Sequence, residues 1–286
     1  MRSKISCFIL VASACFLTAP NLPAQPPPAA EAPVPAAVAL DRPSAADIAV
    51  LNERLKNLII QTDPSAKAIF EQHPTYKFFP VPVNTAIVPA PFNPARHDAN
   101  VAIAKKGDID LLFAGDSITD WWQTNGKEQY ANYFGGIKVA DFAIAGDTTQ
   151  GVLFRLQNGE GQGFQPKAIM LMIGTNNIGR NTAAEIAEGV GADITELRKD
   201  FPNAKILLLA VFPRGLADDP ARKTIADINK IIAKLDDGKN VFYLDIGDKF
   251  LGPDGNFLPG SGRGENLHPR GPGYEIWAEA VKEPLS

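Results

Sequence analysis

The chain has 286 residues, and its 28 lysines and arginines stand against 32 aspartates and glutamates, a formal net charge of −4 at pH 7. That length can bury the core of one large α/β domain, and a nearly balanced charge without a basic run argues against nucleic-acid binding. The two cysteines, Cys7 and Cys15, both stand close to the N-terminus, so the rest of the chain has no thiol for a disulfide or a metal.

The first 24 residues have the order typical of a secretory signal peptide. Arg2 and Lys4 precede an apolar run over residues 5–17, which is too short to span a membrane and leads into small residues and prolines. We expect cleavage after Ala24 and a secreted or periplasmic protein without a stable membrane span. Residues 12–15 also loosely resemble a bacterial lipoprotein cleavage box, so a lipid anchor is the less favoured alternative.

Two further segments precede the main domain. Residues 25–40 are rich in proline and alanine, which predicts an extended linker. Residues 41–95 form an N-terminal extension, whose leucines and isoleucines recur at helical spacing between positions 44 and 60. The prolines of residues 74–94 exclude regular helix and central strand there, and we expect that stretch to wrap the surface of the domain.

Residues 96–286 alternate between apolar strand patterns and amphipathic helix patterns. This order predicts a doubly wound, flavodoxin-like three-layer α/β sandwich with a five-stranded parallel sheet. Ligands of such folds bind outside the carboxyl ends of the strands. The strands are expected at residues 109–114, 137–143, 168–173, 205–212 and 241–245, and the main helices at residues 186–197, 225–235 and 274–281.

Four short polar blocks follow or close these apolar runs, at residues 115–117, 146–149, 174–177 and 265–268. In order they offer a hydroxyl, a glycine N–H, a side-chain amide and an acid–base pair. Acyl transfer needs such a set. Each block alone is equally explained by helix capping or a tight turn, and the order of the four after successive strands gives them weight.

The candidate nucleophile is Ser117 and the candidate base is His268. Ser117 does not lie in the Gly-x-Ser-x-Gly elbow of the α/β-hydrolases, because Thr119 occupies the last position. The chain has three histidines; His73 lies by the proline-rich segment and His97 on a predicted helix before the first strand. His268, three residues after Glu265, is the best placed of the three to serve Ser117.

These blocks resemble those of the SGNH (GDSL-type) hydrolase family, which contribute Ser, Gly, Asn and His in that chain order. The resemblance covers residues 109–282. Within the family, residues 143–156, 174–177 and 211–215 are similar to the catalytic subunits of platelet-activating-factor acetylhydrolases.

The resemblance implies ester hydrolysis through an acyl-enzyme, without a metal or cofactor. It implies Ser117 as nucleophile, His268 as general base, and an oxyanion hole formed by the N–H groups of Ser117 and Gly146 with the Asn176 side chain. The family's acid is usually an aspartate, and Glu265 stands in its place here. We expect Glu265 to orient His268; alternatively Glu265 is a surface residue and a backbone carbonyl orients the imidazole.

The substrate is the least constrained part of the prediction. We expect a small-molecule or glycan ester, with acetyl esters on carbohydrates ahead of phospholipid acetyl esters, lysophospholipids and thioesters; a non-catalytic glycan-binding protein is the alternative from another class. Trp121 and Trp122 are candidate substrate contacts or core residues. Arg155, Arg214 and Arg263 are candidates for binding a phosphate or uronate, or are simply solvated. The sequence leaves the oligomeric state open.

Overall fold

A computed structural model of the chain describes residues 30–285. The predicted signal peptide and lipoprotein box lie outside the described residues. The helices are α1 (Ala45–Thr62), α2 (Ala66–Gln72), α3 (Pro94–Ala104), α4 (Ser117–Asp120), α5 (Lys127–Phe134), α6 (Thr149–Arg155), α7 (Ala183–Asp200), α8 (Pro220–Ile232) and α9 (Gly271–Lys282). Shorter 3₁₀ turns include Thr85–Ile87, Trp121–Gln123, Thr175–Asn177, Ala233–Leu235 and Gly247–Phe250, and Leu156–Glu160 is a π turn.

The strands are β1 (Leu111–Gly115), β2 (Val139–Asp141), β3 (Ala168–Met172), β4 (Lys205–Leu209) and β5 (Val241–Leu244). They form one parallel sheet, in the order β2-β1-β3-β4-β5 over residues 30–285. In this sheet Leu111 of β1 pairs with both β2 and β3. The order reverses direction at β1, and the loops after β1, β2 and β3 meet at one carboxyl edge. The predicted doubly wound α/β fold is therefore confirmed.

Apolar side chains cover both faces of the sheet, because successive residues of a strand point to opposite sides. On β1, Leu112 and Ala114 join the core under α3, α6, α7 and α8, whereas Leu111 and Phe113 join the core under α5 and α9. A strand buried on both faces has no polar alternation, which is why the strands are continuous apolar runs in the sequence.

Two strands are shorter than their apolar runs predict. The run at residues 205–212 is strand only to Leu209, although Val211 and Phe212 remain buried. The run at residues 137–143 is strand only over Val139–Asp141. Beyond these points the chain leaves the sheet but stays in the core, and an apolar pattern reports burial rather than strand pairing.

The described part of the predicted extended linker, residues 30–40, packs against the domain instead of standing apart from it. Val38 is only 5% exposed and belongs to the core beneath α7. Gly191 makes room, because a side chain there would collide with Val38 and Pro35. The Ala32 N–H also donates to the Ile87 carbonyl over 2.9 Å. A proline-rich sequence thus gains order from contacts that its composition does not reveal.

The N-terminal extension contains a projecting part and a buried part. Helices α1 and α2 carry exposed apolar residues, such as Leu58 on α1 and Ile69 on α2. Further along, Ala86 and Ile87 are buried, so the proline-rich stretch enters the core at this point rather than only wrapping the surface. Among the helices of residues 30–285, none has the length and hydropathy that a membrane crossing requires.

Candidate active site

Ser117 stands where β1 passes into α4. The Asp116 side chain caps this helix by accepting a hydrogen bond from the Ile118 N–H over 3.0 Å. Gly115 has to be glycine, because a β-carbon there would collide with the Met172 carbonyl on β3. As the first residue of α4, Ser117 has an N–H without an acceptor within the helix. The nucleophile candidate therefore combines a hydroxyl with a backbone donor at a helix N-terminus.

The structure brings Ser117, His268 and Glu265 into one hydrogen-bonded chain. The Ser117 Oγ lies 2.8 Å from His268 Nε2, and His268 Nδ1 lies 2.8 Å from Glu265 Oε1. Ser117 is only 7% exposed, whereas the Glu265 side chain is 42% exposed. The extra methylene of glutamate does not prevent contact with the imidazole. The carboxylate and the hydroxyl thus occupy opposite nitrogens of the ring, as acid–base activation of a serine requires.

His268 lies on an irregular loop that its own backbone closes. The Arg263 N–H donates to the His268 carbonyl over 2.8 Å, and Asn266 adopts a left-handed conformation with φ 51°. The Asn266 carbonyl accepts a hydrogen bond from the Gly215 N–H over 2.8 Å, which ties this loop to the one after β4. Asparagine tolerates the left-handed region better than most residues, so its position in the fourth block suits this turn.

The surroundings of His268 and Glu265 lower the pKa of both groups. Burial lowers the pKa of His268 below its usual value, against the opposing effect of Glu265 and with a further lowering by Arg263 and Arg214. For Glu265, partial desolvation opposes ionisation, but hydrogen bonds from its own N–H and from His268 and the Arg263 charge lower its pKa overall. At neutral pH the arrangement holds a neutral imidazole beside a carboxylate, which suits a general base.

The second and third blocks contact each other at the carboxyl edge of the sheet. The Asn176 side-chain amide donates to the Asp147 carbonyl over 2.8 Å, and this carbonyl directly follows Gly146. Gly146 has φ 87°, a conformation that favours glycine. The Thr149 N–H donates to Asn177 Oδ1 over 3.1 Å, which adds a second link between the blocks. The predicted donors Gly146 and Asn176 are therefore neighbours.

A buried ion network holds the second block, and the sequence did not reveal it. Arg155 is only 2% exposed, and its Nε donates to Asp147 Oδ2 over 2.9 Å. The Arg155 guanidinium also pairs with Glu160 and donates to the Phe142 carbonyl. Glu160 in turn accepts a hydrogen bond from His97 over 2.9 Å. The suggestion that Arg155 meets a substrate phosphate or uronate is therefore wrong, because its donors bind buried carboxylates.

The two adjacent tryptophans have different environments. Trp122 has an exposed fraction of 0% and packs in the core against Tyr274 and Trp277, so of the two alternatives, substrate contact or core residue, it is a core residue. Trp121 is partly exposed, and its ring lies 4.0 Å from the His268 ring, tilted by 32°. The guanidinium of Arg263 lies 5.0 Å from the Trp121 ring centre. Trp121 is thus a wall of the site beside the imidazole.

Arg214 and Arg263, the other two arginines that the sequence offers for binding a phosphate or uronate, also border the site. Arg214 donates through Nη1 to the Thr175 carbonyl over 3.2 Å, one residue before Asn176. Arg263 pairs with Glu265 over 3.3 Å. His73 caps the C-terminus of α2, away from these groups. Over residues 30–285, no three histidine, cysteine, aspartate or glutamate side chains are grouped as a metal site needs.

Comparisons with known proteins find relatives over the part of the chain that contains the site. The sequence profile of the GDSL-like lipase/acylhydrolase family matches residues 113–276, a span that contains all four polar blocks. The chain is 37% identical over 162 residues to the platelet-activating factor acetylhydrolase IB subunit alpha2 of Gallus gallus, a match that covers 56% of this chain and 69% of that protein. It is 31% identical over 160 residues to the alpha1 subunit of Bos taurus, with coverage of 56% and 68%.

Solved structures share the fold at lower identity. A GDSL-like lipase from Bacteroides thetaiotaomicron superimposes with a TM-score of 0.52 at 19% identity, covering 67% of this chain and 96% of that one. A catalytic mutant of an acetylxylan esterase from Geobacillus stearothermophilus superimposes with a TM-score of 0.50 at 18% identity, covering 63% and 95%. At such identities the likeness concerns the α/β fold.

Proposed function

This chain belongs to the GDSL-like lipase/acylhydrolase family and is a carboxylic-ester hydrolase, and we propose that it releases short acyl groups, acetyl above all, through an acyl-enzyme on Ser117. The observation that carries the proposal is the hydrogen-bonded chain from Ser117 through His268 to Glu265, with distances of 2.8 Å at both links.

In the proposed reaction His268 Nε2 takes the proton of Ser117 as the Oγ attacks the ester carbonyl carbon. Glu265 holds the ring and offsets the positive charge that forms on it. The N–H groups of Ser117 and Gly146 and the Asn176 amide donate to the developing oxyanion; loss of one such donor typically costs about 2.7–4 kcal/mol. His268 then returns the proton to the leaving alcohol, and water attacks the acyl-enzyme with His268 again as base.

The proposed alcohol part of the acetyl ester is a carbohydrate. Two features support it: the signal peptide that the sequence predicts, which would deliver the enzyme to extracellular material, and Trp121, an aromatic ring partly exposed beside His268. Export itself is part of the proposal. Fractionation of cells that express the full chain checks it, because a cytoplasmic, full-length product would contradict export.

A phospholipid acetyl ester is the second candidate substrate. The relatives at 37% and 31% identity are named platelet-activating factor acetylhydrolase subunits, and that name is the observation in its favour. Acetate release from acetylated xylan or pectin, compared with release from an acetylated ether phospholipid, separates the two candidates. Faster release from the phospholipid would overturn the carbohydrate proposal.

The serine mechanism is tested with p-nitrophenyl esters of increasing acyl length. We expect turnover that is fastest for acetate, and a Ser117→Ala variant that folds as the wild type but is about 10⁴-fold slower or worse. Ser261→Ala is the matched control, because that hydroxyl is also buried but donates to the Leu258 carbonyl. Equal turnover by wild type and Ser117→Ala would overturn the proposal.

A further inference from the structure

Arg214 lies between the loops that carry the oxyanion donor and the base. Its Nη1 donates to the carbonyl of Thr175, the residue before Asn176, over 3.2 Å. The next residue, Gly215, donates its N–H to the carbonyl of Asn266, two residues before His268. The guanidinium is only partly exposed. Arg214 is thus part of the wall of the candidate active site rather than of the distant surface.

The charge of Arg214 has no carboxylate partner in the part of the chain that the structure describes. Arg155 pairs with Asp147 and Glu160, and Arg263 pairs with Glu265. Arg214 makes no ion pair among residues 30–285, and its side-chain hydrogen bonds there run from Nη1 to Thr175 alone. The donors on Nε and Nη2 therefore remain for a ligand of this site.

The field of Arg214 reaches the reacting groups. Its charge contributes to lowering the pKa of His268, after burial and the opposing effect of Glu265. It also acts on Asp116, although burial dominates there and raises the pKa of that carboxyl to about 7. Glu265 is paired with Arg263, so Arg214 remains a cation without an ion pair among the described residues, in a chain whose net charge is −4. A local field opposite to the net charge favours an anionic ligand.

We propose that Arg214 binds an anionic group on the alcohol side of the ester, so that the enzyme prefers acetyl esters whose alcohol part carries a carboxylate or a phosphate. The inference rests on the proposed serine-esterase function and names its substrate class. The planar guanidinium presents paired N–H donors, which match two oxygens of a carboxylate or phosphate. The ester carbonyl then lies towards Ser117 while the anion is held at the Thr175 side.

The test compares matched esters on one enzyme sample. The neutral ester is an acetylated methyl galactoside; the two anionic esters are the corresponding acetylated galacturonate and an acetylated glycerol phosphodiester. The quantity measured is the ratio of kcat/KM for each anionic ester to that for the neutral ester. A partly misfolded variant lowers both values alike, so the ratio isolates recognition. The variants are Arg214→Gln, Arg214→Lys and Lys167→Gln, the last at the opposite edge of the sheet, where it is exposed.

We expect the wild type to prefer at least one anionic ester by about tenfold, a preference that weakens as ionic strength rises. Arg214→Gln should bring that ratio close to one, Arg214→Lys should keep part of it, and Lys167→Gln should not change it. Preference for the galacturonate identifies a uronate source, and preference for the phosphodiester identifies a phosphate source. A wild-type ratio near one, or a preference that survives in Arg214→Gln, would overturn the inference; serine-dependent p-nitrophenyl acetate turnover would still support the esterase function.

Discussion

The two halves of the candidate site are held in different ways. Ser117 and the 146–149 block follow buried strands, and the second is fixed by Arg155, which is 2% exposed. His268 and Glu265 lie on an irregular loop, where the Glu265 side chain is 42% exposed. The buried half depends on the same contacts that stabilise the fold. The loop half is held by backbone hydrogen bonds such as those from Arg263 to His268 and from Gly215 to Asn266.

We therefore expect stability and catalysis to be coupled in the buried half of the site and separable in the loop half. A substitution in the ion network of the buried half should change both the free energy of unfolding and turnover, because Asp147 and Glu160 are buried and depend on Arg155 as their partner. A substitution in the loop half should change turnover alone, because exposed hydrogen bonds contribute little to stability.

The largest effect on stability is expected from Arg155→Met. It leaves Asp147 and Glu160 buried without their cation, and removing one partner of a buried pair typically costs about 3–5 kcal/mol of unfolding free energy. Burial already raises the pKa of both acids against the effect of Arg155, so the loss should be smaller at acidic than at neutral pH, because protonation removes the unpaired charge. Denaturant unfolding at two pH values measures it.

Arg198→Met is the control for this change. Arg198 donates to backbone carbonyls at the end of α7, including that of Ala204 over 2.7 Å, and is partly exposed. We expect a smaller loss of stability there and unchanged turnover. If Arg155→Met were as stable as the wild type, or if both variants lost the same free energy of unfolding, the 146–149 block would not be held by this network.

The second prediction concerns the loop half. Glu265→Gln should lower kcat by about 10³-fold, since the amide cannot offset the imidazolium charge, whereas Glu265→Asp should be partly tolerated. The carboxylate raises the pKa of His268, so its removal should move the acid limb of the pH profile of kcat/KM to lower pH. Unfolding free energies should stay within about 0.5 kcal/mol of wild type. Indifference of turnover to both substitutions would remove Glu265 from the site.

The third and smallest prediction concerns Asp116, beside the nucleophile. Burial is the main cause that raises its pKa from 3.8 to about 7 in the folded protein. A raised folded pKa means that the folded state binds more protons between these values, so this carboxyl lowers stability as pH rises from about 4 to 7. Asp116→Asn keeps a capping side chain, and its stability relative to wild type should rise by about 2–4 kcal/mol across that window and then level off.

Asp237→Asn gives the opposite sign as a control. Hydrogen bonds from the N–H groups of Val241 and Asn240 lower the pKa of this exposed carboxyl to about 2. The Asp237 carboxylate therefore stabilises the folded protein above the pKa it has in the unfolded chain, and this stabilisation disappears as pH falls towards about 2. If Asp116→Asn showed no change relative to wild type between pH 4 and 7, Asp116 would not be a buried, strained acid.

The sequence carried most of the fold and the four blocks, and its misses have physical reasons. Continuous apolar runs predicted the sheet, but the run to Phe212 could not show that β4 ends at Leu209. Adjacent residues such as Trp121 and Trp122 point away from each other on a helical turn, and the pattern could not show which one faces the core.

Burial of a charge was the other miss. Arg155 follows an apolar stretch and precedes Glu160 by five residues, which was the available signal. Its partner Asp147 precedes α6, whereas Arg155 is the last residue of that helix. The sequence alone does not show that their side chains meet. The packing of residues 30–40 was missed for the same reason, because it depends on the small size of Gly191 on another element.

Mass spectrometry of a quenched reaction is the most direct test for a covalent acyl-enzyme on Ser117. Wild-type enzyme turning over p-nitrophenyl acetate is stopped with acid, digested and searched for an added acetyl group. We predict the acetyl on the peptide that contains Ser117, and none on that peptide from Ser117→Ala. An acetyl group on a different side chain, with turnover that does not depend on Ser117, would contradict the account.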